Sequence, residues 1–90
     1  MASTVFLALQ ANEDTRLIIE AIMEDNPQAE LHEYPAMVKI DSAGPLTIRR
    51  VSVEEKIGRD WDLQELHLNL ISLSGHIDET EDEMILAWAE

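Results

Sequence analysis

Ninety residues with nineteen acidic and six basic side chains, no cysteine and a net charge of −13 exclude more functions than they specify. A chain of this length buries only roughly 60 to 65% of its unfolded surface, so a modest core fits and a deep active site does not, while a hydrophobic content of 46% exceeds that of disordered acidic chains. The charge opposes nucleic-acid binding, which draws on counterion release by Lys and Arg, and the missing cysteines remove disulfides, thiol nucleophiles, thiolate zinc sites and cysteine-ligated iron–sulfur clusters.

The first predicted element is a strand over residues 4–10, where Val5, Leu7 and Leu9 alternate with Phe6 and Ala8. Asn12 is placed to cap a helix, Glu13 and Asp14 suit its positive end, and Leu17, Ile18, Ala21 and Ile22 recur at helical spacing until Asn26-Pro27 stops it. Two short strands are expected over 30–34 and 37–41, followed by a turn at Ser42-Ala43-Gly44-Pro45 and a third strand over 46–51. Ser52-Val53-Glu54-Glu55 has the capping-box pattern, which predicts a short helix over 53–57 with Gly58 as its stop. Asp62 is placed to cap another short helix from Leu63.

Residues 66–74 satisfy two periods, since Leu63, Leu66, Leu70 and Leu73 form a helix stripe while Leu66, Leu68 and Leu70 alternate as in a strand. The acidic run 78–83 reads as a solvated connection, and Met84, Leu86 and Trp88 alternate in a final strand that carries Trp88 into the core. Together these elements predict a single small α+β domain over residues 1–90, with a largely antiparallel mixed sheet and about three helices, one long and two short. Met1-Ala2-Ser3-Thr4 has no basic flank and the apolar runs reach about five residues against the roughly 20 that span a bilayer, so a cytoplasmic protein is expected.

Chemistry is sparse. His32, His67 and His76 lie far apart, and none forms Glu-x-x-His or His-Glu-x-x-His, so no metal site is expected. The acidic run lacks the glycine and ligand spacing of a calcium loop. Asp41-Ser42-Ala43 is similar to the Asp-Ser-Leu of acyl carrier proteins, whose serine carries a phosphopantetheine arm at a helix start, yet Gly44-Pro45 follows at once. There is no Gly-rich phosphate loop and no nucleophile elbow. A non-catalytic protein without cofactors is therefore expected, and a generic acidic inhibitor or nucleic-acid mimic is a further reading that the charge permits.

The remaining signal is one neutral block. Residues 49–62 hold four of the six basic residues, Arg49, Arg50, Lys56 and Arg59, together with Glu54, Glu55, Asp60 and Asp62. Arg49 and Arg50 end a predicted strand, so at least one faces outward, where it balances Glu54 and Glu55 or meets a partner. Trp61 lies between two aspartates and two short helices, and both loop anchoring and partner contact are open to it.

Through this block the chain resembles the regulatory, or effector, components of bacterial multicomponent di-iron monooxygenases, most nearly those of phenol hydroxylases and more remotely the methane monooxygenase regulatory protein B. The resembling residues are Ala21-Ile22, Glu24-Asp25-Asn26-Pro27, Pro35-Ala36-Met37-Val38-Lys39-Ile40, Ile48-Arg49-Arg50, Val53-Glu54-Glu55-Lys56-Ile57-Gly58-Arg59, Trp61-Asp62, Gln64-Glu65 and Trp88, in order along nearly the whole chain. The resemblance implies a subunit without cofactor or catalytic residues that binds the di-iron hydroxylase and raises productive turnover of phenol. It also implies a strand over 68–73. With about three residues before the first strand, no long N-terminal tail like that of the methane monooxygenase effector is expected. The candidate partner contacts are Arg49, Arg50, Glu54, Arg59 and Trp61, with Asn26 near the end of the long helix.

Overall fold

The alternating segment near the N-terminus becomes the strand around which the others assemble. In the computed structural model, which describes residues 4–88, β1 (Val5–Gln10) buries Val5, Leu7 and Leu9 and leads into α1 (Glu13–Asp25). Asn12 caps α1 as its side chain predicts: its Oδ1 accepts from the Thr15 N–H at 3.0 Å, while Thr15 Oγ1 accepts from the Asn12 N–H at 3.1 Å. The chain continues through β2 (Glu30–Glu33), β3 (Met37–Ser42), β4 (Leu46–Arg49), α2 (Arg50–Ile57) and α3 (Gln64–Leu68) to β5 (Leu70–Ser74), β6 (His76–Glu79) and β7 (Glu83–Ala87). The three residues read as preceding the first strand lie outside the described residues.

The α+β class with antiparallel pairing holds, and the strands divide between two sheets. One has the order β2-β3-β1-β5 and the other β4-β7-β6, with every pairing antiparallel. Gly75 joins them between β5 and β6. Its φ of +130° suits glycine alone, and a Cβ there would stand 3.0 Å from Val5 Cγ1 and 3.2 Å from Leu86 Cγ, so the position also needs the missing side chain. A single core fills the space between the sheets and α1, built from Leu7, Leu9, Ile22, Ile40, Leu46, Ile48, Leu66, Met84 and Leu86.

Five expectations are corrected. The third strand ends at Arg49 rather than at 51, because α2 begins at Arg50. The Arg50 N–H donates to the Asp82 carbonyl at 2.9 Å, so a distant turn satisfies a donor that the Ser52 capping box was expected to serve, and Ser52 lies inside the helix. Neither period of residues 66–74 holds throughout: α3 takes Leu66 and Leu68 and runs to Leu68, and the strand takes Leu70 and Leu73 and starts at Leu70, later than the resemblance implies. The acidic run is not a plain connection, since Asp78 and Glu79 complete β6 and Glu83 opens β7. An edge strand whose outer side is solvated tolerates such charges, which hid it from a hydrophobic pattern. Trp88, expected in the core, is 48% exposed, because β7 ends at Ala87 and the alternation of Met84 and Leu86 ends with it.

Candidate functional site

The neutral block forms a continuous surface from the end of β4 through α2 to α3. Gly58 ends α2 in the left-handed conformation, φ +75°, as predicted, with its N–H donating to the Glu54 carbonyl at 2.9 Å. The chain then turns so that Trp61 enters the core at 3% exposure. Glu54 holds it there from the preceding helix, its Oε2 accepting from the Trp61 N–H at 2.9 Å. Of the two readings open for Trp61, the structure gives the loop anchor.

Three of the block's cations are engaged within the domain. Arg50 donates from Nη2 to Asp82 Oδ1 at 2.7 Å and stands 3.7 Å from Glu54 Oε2, which raises its pKa, chiefly through the Asp82 hydrogen bond and then through Glu54. Lys56 pairs with Glu24 of α1, and that contact raises the pKa of the ammonium. Arg59 grips Glu65 with both Nη atoms, at 3.4 and 3.2 Å, raising its own pKa and lowering that of Glu65. Glu65 also accepts from the Asp62 N–H at 3.1 Å while Asp62 accepts from the Gln64 N–H at 2.8 Å; Asp62 thus serves the start of α3 as expected, although the helix begins at Gln64 rather than Leu63 and Leu63 occupies the N-cap position. Arg49 is exposed and has no ion pair among the described residues.

Asn26 is placed differently from its expected part as a contact. It is 3% exposed, its amide nitrogen donates to the Ile22 and Thr47 carbonyls at 2.7 Å each, and its oxygen accepts from the Thr47 N–H at 2.9 Å. Those bonds use both amide protons, and the buried side chain has almost no surface to offer a partner. The structure therefore brings Arg50, Glu54, Arg59 and Trp61 together, with Arg49 at the margin and Asn26 against the outer edge of β4.

Sequence reasoning missed the opposite wall. Between the block and the β6–β7 turn runs an open groove of about 870 Å³, lined by Glu54, Asp60, Asp62 and Glu65 on one side and Glu79 and Glu81 on the other. The only sequence signal within it was the Arg50–Glu54 spacing of one helical turn, while Asp82 joins from 32 residues away. Its carboxylates are exposed or half-buried, and Glu54, Asp62, Glu65 and Glu79 are each engaged in hydrogen bonds within the domain. Among the described residues no group of three or more His, Asp or Glu is arranged for a metal ion, and His67 instead pairs with Glu79 at 3.1 Å and His32 with Asp41 at 3.0 Å. Ser42 is 2% exposed within β3, where an arm could not be attached, which overturns the carrier reading. No helix among the described residues is long and apolar enough to cross a membrane.

The sequence profile of the MmoB/DmpM family matches residues 3–87. The chain belongs to the MmoB/DmpM family. Within that family it is 43% identical over 88 residues to the phenol 2-monooxygenase stimulatory component DmpM of Pseudomonas sp. (strain CF600), with 98% of each chain covered. Among solved structures, a chain in a phenol hydroxylase–regulatory protein complex superposes with a TM-score of 0.92 and 48% identity, over 97% of this chain and all of that one. The soluble methane monooxygenase regulatory protein B shares the fold, with a TM-score of 0.76 at 17% identity, over 96% of this chain and 65% of that one. The MmoB/DmpM fold is thus common to relatives that keep little of the sequence.

Proposed function

We propose that this chain is the regulatory component of a multicomponent phenol monooxygenase, which binds the di-iron hydroxylase component in the cytoplasm and promotes productive hydroxylation. It contributes no catalytic group and no cofactor of its own. The single observation that carries this reading is the end-to-end superposition on a 48% identical chain from a phenol hydroxylase–regulatory protein complex. An effector of this kind acts only through differential affinity, binding one state of the hydroxylase more tightly than another. A preference of about 3 kcal/mol shifts that equilibrium by roughly two orders of magnitude.

The contact surface in this reading is the neutral block. Arg49 is supported by its exposure without an internal partner, Arg50 and Glu54 by their position along the groove, and Arg59 by its exposed pairing with Glu65 of the groove wall. Trp61 and Asn26 act from behind, holding the block's shape. The test is phenol turnover by hydroxylase and reductase, with and without this chain. A severalfold rise is expected, with Arg49→Glu requiring about tenfold more protein for half-maximal effect. Turnover unaffected by the wild-type chain would return it to the class of generic acidic inhibitors.

A further inference from the structure

A second hollow lies on the other side of the Trp61 loop, between the first turns of α1 and the end of α3. It encloses about 190 Å³, below the roughly 300 Å³ at which small-molecule sites begin, and suits a single large side chain. Leu17 of α1, Ile57 at the end of α2 and Trp61 make its floor apolar. On its rim stands Leu68, 78% exposed and the most exposed large hydrophobic among the described residues. The core does not require a leucine there, because α3 is held by Leu66 at 0% exposure. The rest of the rim is acidic: Glu65 is neutralised by Arg59, whereas Glu13 and Asp14 are exposed and have no ion pair among the described residues.

We propose that this hollow is an anchor pocket for a basic segment of the partner, one that inserts a single large apolar side chain flanked by Lys or Arg. An apolar floor under a rim that stays net acidic, with Arg59 paired to Glu65 and acting on Asp14 only at longer range, fits that chemistry and repels an acidic surface, including a second copy of this chain at −13. The occupant closes over Leu68 and removes it from water. The proposal rests on the regulatory reading above, whose partner surface it specifies.

Calorimetric titration of the hydroxylase component of phenol monooxygenase with wild-type chain, Leu68→Ala and Asp14→Asn tests it, with phenol turnover measured alongside. Leu68→Ala should weaken binding about tenfold, with an unchanged thermal midpoint because the side chain is exposed. Asp14→Asn should weaken it about threefold, mainly through a slower on-rate. Wild-type binding matched by both variants overturns the pocket and leaves the regulatory reading standing. A wild-type chain that neither binds nor stimulates overturns the regulatory reading itself. A wild-type dimer in sedimentation that Leu68→Ala dissolves, with hydroxylase affinity unchanged, makes a second copy the occupant and also overturns the proposal.

Discussion

Asn26 closes an edge that the sheet leaves open. β4 is the outer strand of its sheet, and Thr47 would present an N–H and a carbonyl to the helix beside it. The Asn26 amide bonds both of them, as a neighbouring strand would, and ties the end of α1 to β4 at the same time. Asn26→Ala leaves those groups without partners in a poorly hydrated place and should cost about 2 to 3 kcal/mol, read from urea denaturation. The folded fraction should keep its affinity for the hydroxylase. Lost affinity at unchanged stability would return Asn26 to the list of direct contacts.

At the scale of elements, α2, the Trp61 loop and α3 are held by carboxylates that each serve two partners. Glu54 joins Arg50 to the Trp61 backbone, and Glu65 joins Arg59 to the Asp62 backbone. The pKa of Glu65 is lowered first by the Arg59 hydrogen bond and then by the Asp62 N–H. A lowered folded-state pKa means stability that is present above the ordinary value of 4.5 and is lost as pH falls through the folded value. The stability gap between wild type and Glu65→Gln should therefore be full near neutrality and close as pH drops below that value. A gap of constant size down to pH of about 3 would show that packing, not charge, holds the loop. The same elements show what could be read in advance: Gly58 and Asp62 act locally and were legible, while the start of α2 was not, because its cap is the carbonyl of Asp82.

The whole molecule carries its charge asymmetrically. The block is neutral as a stretch of sequence and the rest of the chain carries the net −13, but in the fold Arg50, Lys56 and Arg59 draw acids from α1, the β6–β7 turn and α3 onto its surface. A field of that sign steers the chain toward a basic partner before short-range fit begins. Association with the hydroxylase should slow at least tenfold as salt rises from about 0.05 to 0.5 M, since the screening length is already near 10 Å at about 0.1 M. Stopped-flow rates that do not change with salt would remove steering from the account. Dissociation should change little, because it reports close contacts.

The sequence by itself determined the features that arise within a few residues: the alternation of β1, the Asn12 cap and apolar stripe of α1, the glycine stop after α2, and the charge balance of the block. It also carried the family resemblance, because that rests on residues in order along the chain. Only the tertiary structure decided which residues share a surface. It buried Asn26 and Trp61, brought Asp82 to Arg50, exposed Trp88, split the strands at Gly75 and turned part of an acidic run into an edge strand. Each of those outcomes depends on groups far apart in the chain satisfying one another's hydrogen bonds, charges or volume, and no local pattern of polarity encodes such a pairing.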